Sequence, residues 1–122
     1  MRQNFIFTEA FGCGKLLGPF LESYLKHHNW PIHVILSTKD IEEAGEIIND
    51  KRVIVIDVSN EPEFTEQWAM GHEGTVLAFA TVFKKMAAGQ NVIHFDADVI
   101  FKDDCVNDII KYLNEGYDLV GP

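Results

Sequence analysis

The amino-acid sequence predicts an α/β fold built around a mostly parallel sheet. Short apolar runs, rich in β-branched residues, alternate along the chain with segments whose apolar residues recur at helical spacing. Residues 53–58 form an almost continuous aliphatic run, which is typical of a strand covered on both of its faces. Alternation of this kind is characteristic of strand–helix–strand units, in which successive strands run parallel.

The predicted strands share a short apolar run that ends at polar or glycine residues. In chain order they are residues 4–8, 32–36, 53–58, 92–95 and 117–120. The fourth runs directly into Asp96-Ala97-Asp98, and the last is followed at once by Gly121-Pro122. Because the sequence stops straight after a strand, we expect it to be the N-terminal part of a longer protein.

The first two helices are predicted after the first and second strands. Pro19 suits a first helical turn, and the apolar residues after it recur at helical spacing until residues 27–29 end the segment. In the second helix, Asp40 and Glu43 have the spacing of an acidic capping box. The buried stripe of that helix is expected to be Ile41, Ala44, Ile47 and Ile48.

The remaining helices are predicted from the same signals. A short one follows Ser59 and carries Phe64 and Trp68. A longer one starts near Glu73 and ends at Gly89. Its sheet-facing side is expected to be Val76, Leu77, Ala80, Phe83 and Ala87. The last is capped by Asp103 or Asp104 and ends at Gly116, with a buried stripe of Val106, Ile109, Ile110 and Leu113.

Composition and charge exclude several classes of protein. The 122 residues suffice for a single domain with its own core, and Cys13 and Cys105 are too few for a disulfide scaffold. The net charge of -9 argues against nucleic-acid binding, because affinity for phosphate backbones comes from lysine and arginine. An acidic protein that binds a small phosphate ligand needs a local source of positive potential, such as a metal ion or a helix N-terminus. With no signal-peptide pattern and no membrane-spanning apolar run, we expect a cytoplasmic protein without a transmembrane segment.

Asp96 and Asp98 lie where the predicted fourth strand leaves the sheet. Residues two apart in a strand point to the same side, about 6.5 Å apart along it. Carboxylates so placed suit Mg²⁺ or Mn²⁺, and ligands of open α/β sheets bind at the carboxyl ends of strands. Two solvated aspartates at a turn are the alternative, but acids in so apolar a stretch are costly unless they are paired. His94 alternates with Asp96, although a buried, hydrogen-bonded histidine is its more common role.

The second half of the chain resembles a known family. Residues 92–99, VIHFDADV, resemble the D-x-D segment of GT-A glycosyltransferases. Residues 71–75, GHEGT, resemble the stretch that opens the preceding helix in several such families, and residues 115–121 resemble the continuation of that fold. The first half of the chain shares only the alternation of strands and helices with that family. The resemblance implies a Rossmann-like GT-A nucleotide-binding sheet, mostly parallel, with helices on both faces.

The resemblance also implies an activity, the transfer of a sugar from a UDP- or GDP-linked donor to an unidentified acceptor. Asp98 would be the main metal ligand, joining Mn²⁺ or Mg²⁺ to the donor diphosphate, and Asp96 would contact the metal or the ribose. The other donor-binding residues would be Thr8, Glu9, Thr38, Asp57, His72 and Gly74. For Thr8, Thr38 and Asp57, an ordinary polar role at a strand end is the alternative. The catalytic base and the acceptor site are expected to lie after residue 122.

Two other functions fit parts of the sequence. Haloacid-dehalogenase-type phosphatases also have an Asp-x-Asp pair after an apolar strand, but theirs is on the first strand of the fold. A response-regulator receiver domain fits the length, the acidity and Asp57 at the end of the third strand. Receivers also need an acidic pair after the first strand and a lysine after the fifth, where this chain offers only Glu9 and a misplaced Lys102.

Overall fold

The structure is a computed structural model that describes residues 2–61, 72–82, 84 and 87–121, and only the backbone of residues 72–75 and 77. Strands and helices alternate along the chain, as the hydrophobic pattern predicts. The strands are β1 (Asn4–Glu9), β2 (Ile32–Leu36), β3 (Val53–Asp57) and β4 (Asn91–His94). The helices are α1 (Leu17–His27), α2 (Thr38–Ala44), α3 (His72–Thr81) and α4 (Val106–Asn114), with short 3₁₀ helices at Gly14–Leu16 and Glu46–Asn49.

The described strands form one parallel sheet in the order β3-β2-β1-β4. β1 lies between β2 and β4, so Phe7 is opposite His33 on one side and His94 on the other. β3 pairs only with β2, in a register that places Leu36 opposite Asp57. The predicted α/β class with a parallel sheet is therefore confirmed.

Helices pack on both faces of the sheet. Ile6 and Ile93 face α1 and α4, where Phe20 and Val106 complete the core. On the opposite face, Phe7 packs with residues of α3 and of the segment after it. Successive side chains of a strand point to opposite faces, so β1 contributes alternately to the two cores.

The third strand differs from its prediction. Ile54 and Val55 are exposed, although the aliphatic run had predicted a strand covered on both faces. β3 lies at the edge of the described sheet, beside β2 alone. An aliphatic run indicates a strand but not its place in the sheet, because β-propensity reflects packing context.

The predicted buried face of the helix starting near Glu73 is wrong in part. Val76, which was assigned to that face, is 61% exposed, and Ala78 and Val82, which were not, are buried, whereas the predicted Ala87 is buried. Nearly every residue in this stretch is apolar, so hydrophobic spacing could not select the face that meets the sheet. The predicted short helix carrying Phe64 and Trp68 lies outside the described residues.

The predicted strand at residues 117–120 does not form. Leu119 is 90% exposed, and Tyr117 is tied back to α4 by a hydrogen bond from its N–H to the Tyr112 carbonyl at 3.3 Å. A strand needs a neighbour to complete its hydrogen-bond ladder, and in the described part of the chain this segment pairs with none. The apolar pattern of residues 117–120 was therefore insufficient to predict a strand.

Asp40 joins the start of α2 to the loop after β1. Its Oδ2 accepts hydrogen bonds from the Ser37 hydroxyl at 2.7 Å and the Ser37 N–H at 3.4 Å, and its Oδ1 accepts one from the Gly14 N–H at 3.2 Å. Ser37 is the N-cap and Asp40 the third helical residue, so the capping box begins three residues earlier than the predicted Asp40–Glu43 pair. The loop and the helix are thus held together by one buried carboxylate.

Replacing Gly14 by alanine is expected to lower the free energy of unfolding by about 1–3 kcal/mol. A Cβ on Gly14 would lie 2.8 Å from the Asp40 Cα and closer still to its carbonyl oxygen. Gly18→Ala is the matched control, because a Cβ there meets nothing within 4 Å and alanine favours a helix by roughly 0.5–1 kcal/mol. Urea denaturation followed by circular dichroism measures both, and equal effects would refute the close contact.

Candidate metal and ligand site at the carboxyl edge of the sheet

The carboxyl ends of β1 and β4 are adjacent, and they form the switch point of the sheet, where the connections to successive strands change direction. From β1 the chain proceeds outward to β2 and β3, and it then returns to place β4 on the other side of β1. Open α/β sheets bind their ligands at such a switch point, because the loops from the two neighbouring strands leave in opposite directions. Glu9 ends β1 and His94 ends β4, so both lie at this point.

Glu9, His94 and Asp96 form a compact group of metal-ligating side chains. Nε2 of His94 lies 2.7 Å from Oε2 of Glu9 and 3.9 Å from Oδ1 of Asp96. One ligand atom from each residue falls within 4.8 Å of the others. The side chains are 11%, 24% and 75% exposed respectively, so the group opens to solvent on the side of Asp96.

Aromatic packing holds the His94 ring in place. The centroids of the Phe7 and Phe79 rings each lie 4.9 Å from that of His94. A hydrogen bond from the Phe95 N–H to the Phe7 carbonyl, 3.1 Å long, extends the pairing of β4 with β1 just past His94. The imidazole is consequently fixed by packing below it and by the strand ladder beside it.

Asp96 and Asp98 occupy a turn and not the end of a strand. β4 ends at His94, and the Val99 N–H donates a 3.2 Å hydrogen bond to the Asp96 carbonyl across residues 96–99. The predicted arrangement of both aspartates on one face of a strand is therefore wrong. Both side chains are exposed, and Asp98 is not a member of the Glu9–His94–Asp96 group.

The carboxylates around the loop after β1 affect Cys13. Burial raises the pKa of the Cys13 thiol, and the negative charges of Asp40, Glu9 and Asp98 raise it further. A raised pKa keeps the thiol of this free cysteine protonated at neutral pH.

Thr38, Asp57 and Ser59 form a second polar group, at the carboxyl ends of β2 and β3. The Thr38 hydroxyl donates to Oδ2 of Asp57 at 2.7 Å, and the Ser59 N–H donates to Oδ1 at 2.9 Å. Burial raises the pKa of Asp57, but these hydrogen bonds outweigh it and hold the pKa below its ordinary value. The structure thus brings together the predicted Thr38 and Asp57, and it adds Ser59, which the sequence had marked only as the start of a helix.

Thr8 differs from the other predicted site residues because it is fully buried. Its Oγ1 has no hydrogen-bond partner within the described residues. Thr8 and Glu9 are adjacent in β1, so their side chains point to opposite faces of the sheet. The structure brings Glu9, and not Thr8, to the carboxyl edge beside β4.

His72 and Gly74 lie in the first turns of α3. They precede Phe79, whose ring contacts His94, by no more than about two helical turns. Only their backbone is described, so their predicted contact with the donor stays a prediction.

The sequence had assigned the members of the metal-ligating group to separate roles. Glu9 was predicted to contact the nucleoside, and a hydrogen-bonded, structural role was favoured for His94, which its 2.7 Å hydrogen bond with Glu9 bears out. Their contact joins residues 85 positions apart, and it depends on β4 pairing with β1. The alternation of His94 with Asp96 was the one local signal for the group.

Comparisons with protein-family models, with curated proteins and with solved structures find no match to this chain. Within the described residues, no helix combines the length and the apolar character needed to cross a membrane.

Proposed function

We propose that this chain is the donor-binding part of a metal-dependent glycosyltransferase that uses a UDP- or GDP-linked sugar. The observation that carries the proposal is the meeting of Glu9, His94 and Asp96 at the switch point of a parallel sheet. These three potential ligands of a divalent cation lie at the position where α/β sheets bind nucleotides. A cation at this position would let a chain with a net charge of -9 hold an anionic diphosphate.

The strand order supports a Rossmann-like, nucleotide-binding sheet. The order β3-β2-β1-β4 is the order of the first four strands of the doubly wound dinucleotide-binding fold. Receiver domains have the order 2-1-3-4-5, in which the first strand pairs with the third. In this chain β1 pairs with β2 and β4, so the topology favours the nucleotide-binding alternative over the receiver.

Each part of the carboxyl edge has a role in the proposal. Asp96 would hold Mn²⁺ or Mg²⁺, Asp98 would join as a ligand once the diphosphate is bound, and the bound cation would supply charge neutralisation for the departing diphosphate. Asp57, held as a carboxylate by Thr38 and Ser59, offers a hydrogen-bond acceptor for the base or the ribose of the nucleoside.

A thermal-shift panel of nucleotide sugars tests the proposal. In Mn²⁺, at least one UDP- or GDP-linked sugar at about 100 times its Kd should stabilise the protein by roughly 2.7 kcal/mol. The stabilisation should vanish in EDTA. The proposal fails if no UDP- or GDP-linked sugar stabilises the protein in metal, and phosphatase activity lost on Asp96→Asn would favour the haloacid-dehalogenase alternative.

A further inference from the structure

We infer that Glu9, His94 and Asp96 together bind one first-row transition-metal dication, and that the site prefers such an ion to Mg²⁺. This inference adds Glu9 and His94 to the metal ligands of the proposed function. The role assigned to the ion rests on the proposed function, but binding of the metal alone can be measured without any nucleotide.

The spacing of the ligand atoms suits a single small cation. Ligands that each hold an ion at about 2.1 Å lie roughly 3.0–3.4 Å from one another in octahedral or tetrahedral geometry. The distances from His94 Nε2, 2.7 Å to Glu9 and 3.9 Å to Asp96, lie on either side of that range. The 2.7 Å contact is a hydrogen bond, so a bound ion would replace it and move Glu9 and His94 slightly apart, while the exposed Asp96 side chain would move closer.

The chemistry of the donor set decides which ion is preferred. Mg²⁺ selects oxygen ligands and retains several waters, whereas an imidazole nitrogen suits Zn²⁺, Fe²⁺ and related transition metals. For a site with one nitrogen and two carboxylates, affinity is expected to rise from Mn²⁺ through Co²⁺, with Zn²⁺ also bound tightly. His94 is therefore the residue that separates these ions from Mg²⁺.

The local charges favour a cation. Within the described residues, Glu9 and Asp96 have His94 as their ion-pair partner, and neither pairs with a lysine or an arginine. His94 carries no charge when its Nε2 ligates a metal, so the two carboxylates would balance the dication. The Phe7 and Phe79 rings fix the imidazole before the ion arrives, which reduces the entropy lost on binding.

Calorimetric titration with Co²⁺ alone, and separately with Mg²⁺ alone, tests the inference. The wild-type chain should bind one Co²⁺ at least about tenfold more tightly than Mg²⁺. His94→Gln and Asp96→Asn should each weaken Co²⁺ affinity by more than the roughly 10–100-fold that loss of an outer-shell partner produces. His94→Gln should leave Mg²⁺ affinity within about threefold, because magnesium does not depend on the imidazole.

His27→Gln and Glu42→Gln are the matched controls, and both should bind Co²⁺ like the wild type. Asp96 is exposed, so Asp96→Asn reports on ligation even if His94→Gln fails to fold. Equal affinities for Co²⁺ and Mg²⁺, or unchanged Co²⁺ affinity in folded Asp96→Asn, would overturn the inference. Co²⁺ binding without any nucleotide-sugar binding would leave this site standing and remove the proposed function.

Discussion

Phe7→Ala is expected to lower the free energy of unfolding by about 3–5 kcal/mol. Phe7 is fully buried in the central strand β1, with its ring edge-on to Phe79 at a centroid distance of 5.2 Å. The same ring lies 4.9 Å from His94, so truncation opens a cavity directly beneath the candidate metal ligand. Domains of this size are stable by about 5–15 kcal/mol, so the variant should lose a large share of its stability.

Phe20→Ala is the matched control for Phe7→Ala. Phe20 is equally buried but packs on the opposite face of the sheet, against Phe101 at 5.4 Å. Urea denaturation should give similar losses for the two variants, whereas Co²⁺ affinity should fall about tenfold only in Phe7→Ala, where the imidazole loses its support. A loss below about 1 kcal/mol in Phe7→Ala, or equal Co²⁺ affinities in the two folded variants, would contradict this account.

Asp98→Ala is expected to weaken Mn²⁺-dependent binding of the nucleotide sugar by about 100-fold, or roughly 2.7 kcal/mol. Asp98 lies in the turn at residues 96–99, outside the Glu9–His94–Asp96 group, and its negative charge, like that of Glu9, raises the pKa of the Cys13 thiol. Its proposed role begins when the diphosphate joins the metal. Binding of Co²⁺ alone should therefore fall much less in Asp98→Ala than in His94→Gln.

Glu42→Ala provides the control for Asp98→Ala, because it removes the same charge from an exposed position on α2. Isothermal titration of the donor in Mn²⁺ separates a local loss of ligation from a general change in electrostatic potential. Similar donor affinities in Asp98→Ala and Glu42→Ala would exclude Asp98 as a ligand of the metal–donor complex.

The sheet was predictable from the sequence wherever local pattern and position in the fold agree. β2 was predicted with its observed bounds, and β1 and β4 were predicted to within one residue at each end. Each of these strands is a short run of aliphatic and aromatic residues bounded by turn-forming residues. Residues 117–120 show the limit of that reasoning. Their pattern resembles that of a strand, but a strand forms only where a neighbouring strand completes its backbone hydrogen bonds. Sequence spacing carries no information about that neighbour.

The candidate site was predicted less completely than the sheet. Asp96 and Asp98 were found because acids in an apolar stretch are conspicuous, yet they lie in a turn and only Asp96 joins the Glu9–His94–Asp96 group. The contact between Glu9 and His94 arises from the parallel pairing of β1 with β4, which is non-local information. The hydrogen bond from Thr38 to Asp57 likewise depends on β2 lying beside β3.

The most direct test of the metal site is an anomalous-difference map from crystals soaked with Mn²⁺ and UDP. We predict one strong peak within about 2.5 Å of ligand atoms of Glu9, His94 and Asp96, with the diphosphate joined to the same ion. A map with no peak at the carboxyl ends of β1 and β4, or with manganese bound only elsewhere on the chain, would contradict it.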